Sequence, residues 1–262
     1  MKLAITGKGG VGKSTIVAVL SHLLKKKGNQ VFLIDADPDM NLASLLGASD
    51  ITVTPIIELK ELITERTGVS PDSPSPFFKM NPKVNDIPEN YSVDINGIKL
   101  MVMGTIRKGG GGCACPENAF LKSLLNYMML SDNQWVICDM EAGIEHLGRG
   151  TAVGVNSMII VVEMNKTSID TAKRIKKLSS DIGLKNICVI ANKIQDEEEE
   201  KFIKAQLPDI PYAGSISYFP SLKKLSLGKL SLEDLEDDIY KQADLCLNKI
   251  IEFSSAKKID VS

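Results

Sequence analysis

The chain lacks several features that would place it early. It has no run close to the roughly 18–20 apolar residues of a membrane helix, so a membrane-spanning protein is not expected. It has no excess of one charge: 31 Lys and Arg stand against 33 Asp and Glu, a net charge of −2. That balance argues against a general polyanion binder, and no nucleic acid is expected as a partner. The opening stretch MKLAITGKGG is not expected to be a secretory signal, since its apolar part is only Leu3 to Ile5 before Gly and Lys intervene. Five cysteines over 262 residues make an odd number with no disulfide-framework spacing. Free thiols in a reducing cytoplasm are expected, available for metal or redox work.

What the chain does contain is an ordinary globular mixture, 44% hydrophobic and 24% charged. Near-continuous apolar runs at residues 2–6, 30–35, 134–139, 157–163 and 186–191 read as strands covered on both faces. Helical segments at 13–27, 167–178 and 197–207 alternate with them. This βαβ series predicts an α/β fold, with a doubly wound, mostly parallel open sheet and helices on both faces. A single domain over 1–262 is expected, with an irregular Pro-rich insertion at about 68–90. Asn96-Gly97 between two strand-like arms signals a hairpin. The acidic run 197–200 suits a helix start. A last helix over 232–253, acidic where its polar face begins, reads as docked on the domain rather than on anionic lipid.

The most specific motif is GKGGVGKST at residues 7–15. It fits G-x-x-x-x-G-K-[ST] between a strand and a helix, the context that identifies a phosphate-binding loop. Gly9, Gly10, Val11, Gly12, Lys13, Ser14 and Thr15 form the loop and the helix start. Its glycines let backbone N–H groups wrap phosphate oxygens, and the helix N-terminus adds its positive end. Lys13 is placed to neutralise the β and γ phosphates, and the Ser14 hydroxyl to ligate Mg²⁺. QWVICD ends a buried strand in Asp139, the position of a Walker B aspartate.

Lys8 adds a second positive charge inside the loop. GKGGVGKST therefore resembles the deviant Walker A motif of the MinD/ParA/nitrogenase iron-protein class of P-loop ATPases. The resemblance implies ATP hydrolysis to ADP and phosphate by a homodimer in which Lys8 crosses to the partner's nucleotide. It also implies that Asp37, in the DADPD stretch, orients the attacking water and the metal shell. Asp35 fits a strand-end cap, which makes Asp37 the choice by family position. Gly143 resembles the switch II glycine whose N–H meets the γ-phosphate. Asn192 is the base contact by resemblance. Gln195 stands where a guanine reader of the N-K-x-D type carries a carboxylate, which favours adenine.

GGGGCACPEN at residues 109–118 carries Cys113 and Cys115 two apart. In an extended segment both side chains point the same way. Pro116 favours that conformation before it and suits the first turn of a helix over about 116–130. The helix dipole lowers thiol pKa values there. Two thiolates are an incomplete site for Zn²⁺ or Ni²⁺, so a symmetric dimer is the expected source of two more. GGGGCACPEN together with CDMEAGIEHLGRGTA resembles the CooC-type ATPases that support nickel insertion during maturation of carbon monoxide dehydrogenase. The match runs from residue 1 to about 193. It implies one metal, Ni²⁺ or Zn²⁺, shared at a Cys₄ site between two chains, and a client such as carbon monoxide dehydrogenase or acetyl-CoA synthase.

Two other readings stand beside it. One is an iron–sulfur electron-transfer protein like the nitrogenase iron protein, since four cysteines at a dimer axis could hold a [4Fe–4S] cluster. The other is a MinD/ParA-type positioning ATPase. Cys138, Cys188 and Cys246 read as core cysteines. His22 reads as a helix-surface residue, and His146 as a histidine packed at a helix start.

Overall fold

A computed structural model gives the fold and describes residues 1–71, 77–104, 116–130, 134–142 and 154–256. Its centre is an eight-stranded sheet. The strands are β1 (Lys2–Thr6), β2 (Val31–Ala36), β3 (Val93–Ile95), β4 (Ile98–Val102), β5 (Trp135–Met140), β6 (Ser157–Val162), β7 (Ile187–Ile194) and β8 (Tyr212–Ser217). They lie in the order β3-β4-β2-β5-β1-β6-β7-β8. All neighbours pair in parallel except β3 and β4, the hairpin turned by Asn96-Gly97. β1 sits between β5 and β6, with later strands added on both sides. The strand order reverses there, and in such sheets a crevice opens at the carboxyl ends of the strands.

Alternation along each strand supplies both layers of the core. Leu3 and Ile5 of β1 face one layer, and Ala4 faces the other. Ile159 and Val161 of β6 share the first layer, whereas Met158, Ile160 and Val162 face the second. The first layer is closed by α1 (Lys13–Lys26) and the last helix, α9 (Asp237–Ala256). The second is closed by α5 (Pro116–Leu130), α6 (Lys166–Asp181) and α7 (Glu197–Gln206), through residues such as Phe120, Leu124, Ile169, Ile175 and Ile203. Each such buried aliphatic or aromatic side chain stabilises the fold by about 1.5–3 kcal/mol over an exposed one. The short helices are α2 (Leu42–Leu45), α3 (Lys60–Thr67), α4 (Ile87–Asn90) and α8 (Pro220–Ser226). No helix among the described residues is long and apolar enough to cross a membrane.

Of the Pro-rich stretch, residues 72–76 lie outside the described set. The part that follows them is tied down. Arg66 donates to both carboxylate oxygens of Asp86, at 3.1 and 2.7 Å, which holds that carboxyl below its usual range. Val84 and Ile87 are buried in the second layer.

The four short helices have no counterpart in the sequence reading, and further features differ from it. β8 has no counterpart there, because an edge strand covered on few sides (YAGSIS) has no continuous apolar run. The last helix begins at Asp237, not at 232. Leu232–Asp234 forms a separate 3₁₀ turn whose Ser231 and Asp234 cap each other reciprocally. His22 is buried, not on a helix surface, because α9 and that turn cover it. Its ring centroid lies 5.5 Å from that of Tyr240, and Nδ1 lies 3.8 Å from the Glu233 carboxylate. Cys138, Cys188 and Cys246 are buried, and burial pushes all three thiols up.

Candidate functional site

The phosphate-loop motif leads from the end of β1 into α1, so its backbone lies at the carboxyl edge of the sheet. Two glycines are required by geometry. A Cβ on Gly7 would stand 2.3 Å from the Val161 carbonyl oxygen, and Gly7 has φ +149. A Cβ on Gly12 would stand 2.4 Å from Asn192 Nδ2, and Gly12 has φ +92. Gly12 occupies the N-cap of α1 with no side chain to offer, and the first turn carries no acid. The helix therefore keeps its leading N–H groups and positive end free of its own side chains. Val11 is fully buried in the core, so only its backbone faces the loop. Lys8 is half-buried in the same loop, and its carbonyl accepts from Val11 N–H at 3.4 Å.

Lys13 is buried and its Nζ lies 3.2 Å from Asp37 Oδ2. Asp37 Oδ1 accepts from the Asp39 N–H at 3.1 Å. Asp35, at the end of β2, is fully buried. Its two oxygens accept from the N–H groups of Asp37 and Leu42, each at 3.2 Å. Asp35 thus pins both ends of the loop that presents Asp37. Burial pushes its carboxyl up to about 6, against those two hydrogen bonds.

Asp139 lies beside Asp35 in the β2–β5 register and beside Ile5 in the β1–β5 register. It is fully buried, and burial pushes its carboxyl up to about 7. The Ser14 hydroxyl and Lys13 pull the other way. Neither Asp139 oxygen, however, makes a hydrogen bond of good geometry, so the group is under-satisfied despite Ser14. Two carboxylates, those of Asp37 and Asp139, thus act on one ammonium, with Asp35 buried beside Asp139. An orphaned buried carboxylate with a hydroxyl beside it is the hard oxygen donor set that suits Mg²⁺.

Gly9, Gly10, Gly12, Lys13, Ser14, Thr15, Asp37 and Asn192 line a cavity of about 760 Å³, whereas Asp35 and Asp139 are fully buried and are not part of its lining. Its far wall comes from elements the sequence reading did not resolve: Ser217 at the end of β8, Tyr218 and Phe219 after it, then Leu222, Lys223 and Ser226 of α8. The signal that could have found them was the buried Ala213 and Ile216 of β8, too sparse to read alone. Asn192 is buried, and its Nδ2 donates to the Val11 carbonyl at 2.8 Å. It braces the loop from behind as well as lining the cavity. Gly143, His146, Cys113 and Cys115 lie outside the described residues. Among the described residues no cluster of three or more His, Cys, Asp or Glu could hold a metal ion.

Comparison with known proteins agrees with this geometry. The CobQ/CobB/MinD/ParA nucleotide binding domain matches residues 2–232. The carbon monoxide dehydrogenase accessory protein CooC of Rhodospirillum rubrum is 42% identical over 255 residues, covering 96% of this chain and 97% of its own. An uncharacterised ATP-binding protein of Methanocaldococcus jannaschii is 41% identical, covering 97% of this chain and 99% of its own. Among solved structures, the MinD cell division protein of Aquifex aeolicus superposes with a TM-score of 0.68 at 22% identity, covering 96% and 97% of the two chains, a likeness of fold. The chain belongs to the CobQ/CobB/MinD/ParA family of nucleotide-binding domains, and within it to the CooC group.

Proposed function

We propose that the protein is a dimeric ATP-hydrolysing maturation factor that supports nickel insertion into carbon monoxide dehydrogenase or a related nickel enzyme. The observation that carries this is the near full-length similarity to the CooC accessory protein, in a chain that also keeps a phosphate loop and a C-x-C pair. The reading places the protein in the cytoplasm, where its thiols stay reduced.

In this reading the nucleotide phosphates take the free N-terminus of α1, with Gly9, Gly10, Val11 and Gly12 giving backbone N–H groups and Thr15 closing the first turn. Lys13 exchanges its contact with Asp37 for the β and γ phosphates. Asp37, so released, orients the attacking water. Gly143 meets the γ-phosphate, Asn192 contacts the adenine edge, and Lys8 reaches the nucleotide of a second chain. Ser14, Asp37 and Asp139 would hold Mg²⁺, which when bound neutralises charge that develops on the phosphates. Closing a cavity that already concentrates charge favours hydrolysis by preorganised electrostatics. Cys113 and Cys115 receive the cargo metal, Ni²⁺ or Zn²⁺, together with the same pair from the second chain. ATP-driven change at the dimer axis then alters that shared site.

The test is an anaerobic Ni²⁺ titration of the metal-free protein, following thiolate-to-nickel absorbance and mass, beside Cys113→Ser and Cys115→Ser. One metal per two chains, lost in both variants, is expected. Unchanged binding in the variants, or none in the wild type, overturns the metal role and leaves a nucleotide-operated ATPase.

A further inference from the structure

The phosphate loop is held from behind by two consecutive residues of β7, and a third residue, just past the end of β6, governs one of them. The pairing of β7 with β8 shifts register between Asn192 and Ile194, a bulge centred on Lys193. Lys193 itself sits at φ +61, a left-handed conformation that a residue with a side chain rarely adopts. Bulges re-aim side chains, and this one aims two adjacent residues at one target. Asn192 Nδ2 donates to the Val11 carbonyl at 2.8 Å, and Lys193 Nζ donates to the Gly10 carbonyl at 2.7 Å.

Lys193 is then fixed by Glu163, which follows β6. Nζ lies 2.9 Å from Glu163 Oε2. The other oxygen of Glu163 is also committed: Oε1 accepts from Asn165 Nδ2 at 2.6 Å. Asn165 is the N-cap of α6, its Oδ1 accepting from the Ser168 N–H at 2.8 Å. Ser168 Oγ in turn accepts from the Glu163 N–H at 3.1 Å. A continuous set of side chains therefore runs from the first turn of α6, through Glu163 and Lys193, to the Gly10 carbonyl. The Lys193 and Glu163 side chains are 42% and 22% exposed, so the ion pair alone adds little stability. Its consequence is geometric. Gly10 lies at φ +83 with open space around its Cβ position, so side-chain packing does not fix that peptide. Lys193 does.

We propose that Glu163 is a positioning residue for the phosphate loop, acting through Lys193 to hold the Gly10 carbonyl and thereby linking the start of α6 to the cavity. With that carbonyl held by an ammonium behind the loop, the loop N–H groups stay arranged for phosphate before any ligand arrives. The inference rests on the nucleotide reading for its purpose, but the restraint on the loop is a property of the ligand-free protein.

The test uses Glu163→Gln, Lys193→Met, the double variant and Lys193→Arg. Glu163→Gln keeps an oxygen for Asn165 and presents an amide to Lys193, so it cuts one arm only. Two readouts are taken: hydrogen exchange of a peptide covering residues 7–15 in ligand-free protein, and calorimetric titration with ADP and with AMP. Glu163→Gln and Lys193→Met are each expected to exchange the loop faster and to bind ADP about fivefold or more weakly, with AMP within about twofold of wild type. The double variant is expected to match the singles, because the two residues act in one chain of contacts, and Lys193→Arg to recover most of the loss. Loop exchange within about twofold of wild type in Glu163→Gln overturns the proposal, as do fully additive losses in the double variant. If wild type binds no ADP, the nucleotide reading fails and the exchange data alone decide whether Glu163 restrains the loop.

Discussion

Helices α1 and α7 both begin at the carboxyl edge of the sheet, after β1 and β7, and their N-termini are finished in opposite ways. α7 is sealed by its own side chains. Asp196 accepts from the Glu199 N–H at 2.9 Å, Glu199 reaches back to the Gln195 N–H at 2.9 Å, and Glu197 to Glu200 put four carboxylates in the first turn. α1 has Gly12 at its cap, no side-chain cap and no acid in its first turn. Its only first-turn charge is the cation Lys13, which adds to the helix dipole instead of cancelling it. The same unsatisfied N–H groups and the same positive end are thus spent on local stability in α7 and left available in α1. Around α1 the protein also accepts buried carboxylates that stability alone would not select.

Asp139→Asn gives the largest expected effect on that contrast. ATP hydrolysis is expected to fall about a hundredfold or more, since in the proposed reading this carboxylate helps to hold the metal and loses its charge. Stability moves the other way. The Asp139 carboxyl is raised to about 7 in the fold from 3.8, so it costs stability progressively as pH rises from about 4 to about 7, and by a constant amount above that. Asn mimics the neutral acid at every pH. Thermal melts should show the variant higher by roughly 3–10 °C at pH 8, with the gap closing towards pH 4.

Gly12→Ala tests whether the open end of α1 depends on its backbone. The new Cβ meets Asn192 and the residue is strained at positive φ, so a loss of about 1–3 kcal/mol in chemical denaturation is expected, together with loss of ADP binding. Asp196→Ala is the matched change at the sealed end. It should cost about 1 kcal/mol, read as a melt lower by about 2–4 °C, and leave ADP affinity within about twofold.

The smallest effect belongs to the far end of α1, where His22 packs beneath α9. Burial lowers its pKa, against the opposing influence of Glu233 and with help from Lys26 and Lys25. Tyr240 faces it from α9, with Lys26 Nζ over the same ring at 4.5 Å. A base with a lowered folded pKa binds more protons when unfolded. Wild-type stability should therefore fall as pH drops through about 6.5, and the fall should be shallower in His22→Gln. Equal slopes in the two proteins would remove His22 from the account.

How much of this could be read beforehand depended on which physics set each residue. The phosphate loop, β1 and α1 were legible because one short motif fixes backbone, charge and position together. The inner strands were legible because burial on both faces demands unbroken apolar runs. β8 was not, since an edge strand with buried Ala213 and Ile216 among half-exposed neighbours carries too little pattern. The last helix was read five residues too early because Leu232 and Leu235 continue its apolar spacing, while the break between them depends on a local cap by Ser231. His22 was misplaced because nothing on its own helix says that α9 lies above it. Asn192 is expected from resemblance as the base contact; its hold on Val11 depends on a contact 181 positions away that no local signal records.

One titration bears most directly on the claim that α1 is left open for phosphate. Calorimetry with Mg²⁺ and ADP would be run on wild type, Lys13→Ala and Asp196→Ala. The account predicts matching binding in wild type and Asp196→Ala, and none detectable in Lys13→Ala. Binding that survives in Lys13→Ala, or is absent from the wild type, would contradict it.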